Sequence, residues 1–115
     1  MPNDEILESL LAFRRERDWE KFHTPKDLAI SIVLEAAELL EEFQWKSPEE
    51  VARHLSNEGK DRVAEELADL SIYIKLMAHD LEIDLDSAVR AKIEKNRAKY
   101  PVGKSRGTAK KYTDL

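Results

Sequence analysis

The sequence contains no cysteine, only three glycines and four prolines among its 115 residues, and few aromatic side chains, at 7% of the total. The lack of cysteine excludes a disulfide framework, thiolate zinc, iron–sulfur ligation and a cysteine nucleophile. So few turn formers argue against a sandwich or barrel built from many short strands, which leaves helices as the default. No run approaches the roughly 18 consecutive apolar residues of a membrane span. The opening MPNDEI has none of the basic-then-apolar order of a signal peptide. A cytoplasmic chain with no membrane partner is expected.

What is present is a chain long enough for one hydrophobic core, 42% hydrophobic and 37% charged. That is too apolar for intrinsic disorder. The net charge of −5 conceals an asymmetry: the last fifteen residues carry Lys104, Arg106, Lys110 and Lys111 against Asp114, leaving −8 on residues 1–100. An acidic body disfavours wrapping a nucleic-acid backbone. It suits a bound cation, with the basic tail free to meet a small polyanion.

Capping grammar divides the chain. Asn3 is a good helix cap, Asp4 and Glu5 follow where the helix dipole favours anions, and Ile6, Leu7, Leu10, Leu11 and Phe13 recur at helical spacing as far as about Trp19. Thr24-Pro25 reads as cap and first-turn proline of a second helix running to about Lys46, with Asp27 in a weak variant of the capping box. Ser47-Pro48-Glu49-Glu50 repeats the pattern as a full box and starts a short connector. A third helix spans about Lys60 to Leu81, and a fourth runs from near Asp84 to Tyr100-Pro101, where proline forbids continuation. The expected architecture is all-α: a bundle of four main helices plus a short connecting helix in residues 1–100, followed by an extended basic tail, 101–115.

Helical-wheel projection singles out the two central helices. In the second, Leu28, Ala29, Ile32, Val33, Ala36, Leu39, Leu40 and Phe43 share a broad apolar side, continued round the back by Ile30, Leu34 and Ala37. Only a narrow wedge remains for Ser31, Glu35, Glu38 and Glu42. So apolar a helix predicts burial of a second face between subunits, in a homodimer or homotetramer. In the third helix, Val63, Leu67, Leu70, Ile74, Met77, Ala78 and Leu81 form the core stripe, with Glu66 at its edge and Asp69 one step further round, flanked by Tyr73.

Glu35-x-x-Glu38 and Glu66-x-x-Asp69 each project from one side of a helix. If the helices lie antiparallel, four carboxylates converge. Two carboxylates about 4 Å apart repel by about 4 kcal/mol at an effective dielectric near 20, so such a cluster calls for protonation or a cation. All-oxygen ligation suits Mg²⁺ or Mn²⁺, which take phosphate oxygens as further ligands. A phosphate ester or anhydride is the substrate class this chemistry suggests. Either pair alone is more often a solvated helix face than a site, and a non-catalytic helical oligomerisation module is the alternative.

Several blocks match a known family: Arg17-Asp18-Trp19-Glu20-Lys21-Phe22-His23, the run from Glu35 to Lys46, Glu65-Glu66-Leu67-Ala68-Asp69, Lys95 to Pro101, and Lys111-Tyr112-Thr113-Asp114-Leu115. Over nearly its whole length the chain resembles the MazG-like all-α nucleoside triphosphate pyrophosphohydrolases, most closely the dCTP pyrophosphatase branch. The resemblance implies cleavage of a (deoxy)nucleoside triphosphate between the α and β phosphates, for dCTP or modified dCTP, or for a broader set of NTPs and dNTPs. It implies Mg²⁺ held by Glu35, Glu38, Glu66 and Asp69, with Glu38 as the base that activates water. It further implies Trp19, His23, Trp45 and Tyr73 around the nucleoside, and Lys92 and Asn96 on the phosphates and sugar. Leu10 stands where the branch tends to carry a histidine, and the connection from Leu39 to Glu65 is shorter than in some relatives.

Overall fold

The computed structural model describes residues 4–115, which form six α-helices and two 3-10 turns, with no β-strand among them. The all-α expectation holds. No helix among the described residues is long and apolar enough to cross a membrane. The chain divides into two compact units, the first ending at Glu82 and the second running Ile83–Leu115. In the first lie α1 (Glu5–Glu16), a 3-10 turn (Glu20–Phe22), α2 (Pro25–Glu41), α3 (Pro48–Ser56) and α4 (Gly59–Asp80). In the second lie α5 (Leu85–Lys99), α6 (Val102–Ser105) and a 3-10 turn (Tyr112–Asp114).

Local chemistry accounts for most of the boundaries. Asn3 lies outside the described residues, and the side chain that caps α1 is Asp4, whose Oδ1 accepts from the Leu7 amide at 3.0 Å. Thr24 caps α2 by accepting from the Asp27 amide at 3.1 Å, while its hydroxyl donates to the Asp27 carboxylate at 2.9 Å. Ser47 and Glu50 close a complete capping box at the start of α3. Asp84 caps α5.

The helix ends differ from the sequence expectation in two places. α1 stops at Glu16 rather than near Trp19, because Asp18 turns the chain through a left-handed φ of 53°. α2 stops at Glu41 rather than Lys46, where a series of turn hydrogen bonds leads to Trp45 at φ 68°. The tail is not extended throughout. The Pro101 carbonyl accepts from the Lys104 and Ser105 amides, building α6, and Gly107, at φ 79°, follows it.

Within the first unit α4 is the hub, packed chiefly on α2 and also on α1 and α3. Leu28 of α2 and Leu76 and Ala78 of α4 are the buried apolar core. On α2 the shielded side is Leu28, Ser31, Ile32, Glu35, Leu39 and Glu42, a helical stripe that includes most of the narrow polar wedge. Ile30, Val33, Leu34 and Leu40 are exposed instead, Val33 by 67%. The broad apolar side therefore does not coincide with the face turned to α4, because the carboxylates occupy part of that face. On α1 the stripe is Leu7, Leu10, Leu11 and Arg14, whereas Ile6 and Phe13 are more exposed.

His54 Nε2 of α3 lies 3.4 Å from Oε1 of Glu42, the residue that follows α2, with both side chains largely shielded. A Cβ at Gly59 would meet the His54 ring and carbonyl at 2.5 Å, which explains a glycine at the start of α4.

Candidate active site

Glu35 and Glu38 of α2 and Glu66 of α4 each bring a carboxylate oxygen to within 4.8 Å of the others. Glu35 and Glu66 are half-buried and Glu38 is exposed. Glu35 feels the charge of Asp69, while Glu66 is coupled most strongly to Glu38. Asp69, the fourth expected carboxylate, is near enough to act on Glu35 but stands outside the tight trio.

The trio is electrostatically strained. Desolvation first, and then the hydrogen bond and charge of Glu38 followed by those of Glu35, push Glu66 up to about 7 from the ordinary 4.5. Glu35 is raised by desolvation and by the neighbouring carboxylates of Glu38 and Asp69. One oxygen of Glu35 and one of Glu66 are buried without any hydrogen-bond donor in the protein. Buried carboxylate oxygens lacking donors, in an all-oxygen set, fit a hard divalent cation. Glu35, Glu38 and Glu66 therefore form a group able to hold a metal ion.

This strain predicts a pH signature. The folded, metal-free protein holds a proton on Glu66 that the unfolded chain releases near pH 4.5, so this group lowers stability as pH rises from 4.5 to about 7. His23 acts in the opposite sense up to 6.5, because its pKa is held low by burial and by Arg14. Comparison with Glu66→Gln isolates the effect. In chelator-treated samples the Tm advantage of Glu66→Gln over the unmodified protein should grow across that window, and Mg²⁺ should remove it. A pH-independent difference would contradict the strained trio.

Beside the carboxylates, and sharing Asp69 with them, is a cavity of about 220 Å³ lined by Leu10, Phe13, Arg14, Trp19, His23, Asp69, Ile72, Tyr73 and Leu76. Three of the four expected nucleoside residues meet here. The His23 ring stands edge-on to Tyr73 with centroids 6.4 Å apart, and Trp19 packs edge-on against Phe13 at 5.7 Å. Trp45 is 91% exposed and does not line this cavity. Lys92 and Asn96 lie one turn apart on α5, in the second unit, both exposed.

Sequence reasoning did not single out Arg14 and Asp80. Arg14 is only 6% exposed, and its two terminal nitrogens donate to the two Asp80 carboxylate oxygens, each at 2.8 Å. The signal was a charge on the apolar stripe of α1, four residues after Leu10. Its partner, 66 positions away, carries no matching signal.

Carboxylates drawn from two packed helices, beside an aromatic-lined cavity, define an all-helical protein with a candidate carboxylate metal centre. The MazG-like family model matches residues 30–115. The chain belongs to the MazG-like family. It is 48% identical over 105 residues to dCTP pyrophosphatase 1 of Rattus norvegicus, covering 90% of this chain and 61% of that protein. To the Bos taurus protein of the same name it is 46% identical over 104 residues, covering 90% of this chain and 62% of the relative. The chain thus spans about three-fifths of the length of these curated relatives. Among solved structures it is similar to a pyrophosphatase from Archaeoglobus fulgidus DSM 4304, with a TM-score of 0.80 and 48% identity, covering 84% of this chain and 90% of that one.

Proposed function

We propose that this chain is a Mg²⁺-dependent nucleoside triphosphate pyrophosphohydrolase that converts dCTP, or a modified dCTP, to the monophosphate and pyrophosphate. The observation that carries the reading is the convergence of Glu35, Glu38 and Glu66 with buried oxygens lacking donors, beside a cavity with aromatic walls. The names of the relatives support the substrate. A cytoplasmic location, where free nucleotides are met, goes with this reading.

Glu35, Glu38 and Glu66 hold the ion, with Asp69 as the fourth carboxylate; Mn²⁺ is the natural substitute. A divalent ion held by these carboxylates would neutralise phosphate charge and polarise the anhydride. Glu38, the exposed member of the trio, accepts a proton from water as the water oxygen bonds to the α phosphorus. The bond from that phosphorus to the bridging oxygen breaks, and pyrophosphate leaves with the bridging oxygen. Trp19, His23 and Tyr73 receive the base. The roles of Trp45 near the nucleoside, and of Lys92 and Asn96 on phosphates and sugar, rest on the match of these positions to the dCTP pyrophosphatase branch.

The reading includes a bundle of four main helices in residues 1–100, with 101–115 as a basic tail, assembled as a homodimer or homotetramer. Exposed Ile30, Val33, Leu34 and Leu40 on α2 and Leu67 on α4 supply the apolar surface that association would cover. A broader substrate range is the second reading, favoured by Leu10, whose aliphatic side chain in the cavity wall offers a base no hydrogen bond.

The test is a panel of common NTPs and dNTPs with 5-methyl-dCTP, incubated with Mg²⁺ and resolved into products. Monophosphate and pyrophosphate are expected, with dCTP and its modified forms leading. Release of inorganic phosphate and diphosphate would refute the cleavage position.

A further inference from the structure

The cavity beside the carboxylates has two walls. One comes from α1 and the chain that follows it, with Phe13, Trp19 and His23; the other comes from α4, with Asp69, Ile72 and Tyr73. The first wall is tied together locally. Trp19 packs edge-on against Phe13, its amide donates to the Arg14 carbonyl at 3.1 Å, and the His23 amide donates to the Glu20 carbonyl. The link from this wall to α4 is the side chain of Arg14, whose two terminal nitrogens reach the two Asp80 oxygens at 2.8 Å. Among the described residues the other polar link from this segment to α4 is Lys75 on Asp4, longer at 3.5 Å and more exposed. Arg14 and Asp80 also lie close enough to His23 for each to act on its charge.

The pair is poorly suited to a purely stabilising task. Apolar side chains of similar volume commonly hold two helices together at least as well as a buried ion pair does. The Arg14 Nε–H is moreover buried without an acceptor in the protein, which detracts from stability. What the fork supplies is geometry: two parallel hydrogen bonds fix separation and plane together, whereas apolar contact has no direction.

We infer that Arg14 and Asp80 are positioning residues for the nucleotide site: their fork sets the register of α1 against α4, and with it the spacing between the wall that carries Trp19 and His23 and the wall that carries Tyr73. Neither member of the pair has to touch the nucleotide. Trp19, His23 and Tyr73 each have a polar atom with which to meet the base, and they act together only when the two walls stand at the right separation. The carboxylate trio draws on α2 and α4 alone, so a shift of α1 leaves it in place. The inference deepens the nucleotide reading above and rests on it.

The experiment separates a displaced wall from a weakened fold. Partial unfolding removes active molecules, which lowers the apparent kcat and leaves KM alone, whereas a displaced wall weakens binding and raises KM. Arg14→Met/Asp80→Met removes the fork without stranding a buried charge. With its fold checked by circular dichroism, this variant should raise the KM for dCTP, and the Kd of dCMP measured by calorimetry, by about tenfold, well within the roughly 10²-fold that a misplacement of about 1 Å can cost. Its kcat at saturating dCTP should stay within about twofold of the unmodified value. Arg14→Lys keeps the charge but cannot form the planar fork, so KM and Kd should rise here too. It carries the test by itself if the double variant does not fold.

Unchanged KM and Kd in either folded variant, or a fall in kcat with KM unmoved, would overturn the inference. If dCMP binding depends on the fork but no triphosphate is cleaved, the hydrolase reading falls and the positioning role stands. If dCTP is cleaved with a KM that the fork does not influence, the reverse is true.

Discussion

Glu38→Gln should lower kcat for triphosphate hydrolysis by about 10²- to 10⁴-fold, the usual contribution of a positioned general base, and the loss should persist at saturating Mg²⁺. The substitution removes a proton acceptor while keeping the size of the side chain. Glu38 is the exposed carboxylate of the trio, whereas Glu35 and Glu66 are half-buried, each with one oxygen shut away from water. Exposure matters here because the base must meet the attacking water, while a ligand must be held still. Glu35→Gln is the control. It should raise the Mg²⁺ concentration needed for half-maximal rate, and added Mg²⁺ should restore much of the activity. If high Mg²⁺ rescues Glu38→Gln equally well, Glu38 is a ligand only, and the base lies elsewhere.

Asp80→Ala should destabilise the protein by about 3 kcal/mol, the lower end of the range for breaking a buried ion pair. The lower end applies because the Asp80 side chain is 23% exposed. The cost arises from what is left behind. Arg14 cannot shed its charge, and with the carboxylate gone its guanidinium stays buried without the two acceptors that now satisfy it. Arg14→Met/Asp80→Met leaves no such charge and should recover most of the loss in urea denaturation. If the double variant is as unstable as Asp80→Ala, the cost lies in packing rather than in the stranded charge. The Arg14 hydrogen bond and charge hold Asp80 below its ordinary 3.8. The pair's contribution is therefore full above pH 3.8 and lost as pH falls through the lowered value.

These predictions draw on different depths of information. Glu35, Glu38 and Glu66 were legible because a helix repeats every three to four residues: paired acids on one side of two neighbouring apolar helices have few places to go. Asp69 was placed in the same pattern, and its position just outside the trio depends on side-chain direction that spacing does not contain. Trp19 and His23 were legible in one of the matched blocks and Tyr73 as a further position matched to the same branch; the structure gathers the three around one cavity. Arg14 and Asp80 were not, because a pair 66 positions apart leaves no periodic trace. A charge on an apolar stripe tells only that some partner exists.

The order of elements, their caps at Thr24, Ser47 and Asp84, and the all-helical class follow from the sequence alone, since these depend on interactions within a few residues of chain. Tertiary structure alone decided which side of α2 faces α4. Both sides are apolar enough to be buried, and the choice lies with the packing of α4, which accepts the carboxylate-bearing side and leaves Val33 and Leu34 outside. The physical reason is range: capping and periodicity act over about one turn of helix, whereas repulsion between carboxylates and the pairing of Arg14 with Asp80 exist only once distant segments have been brought together.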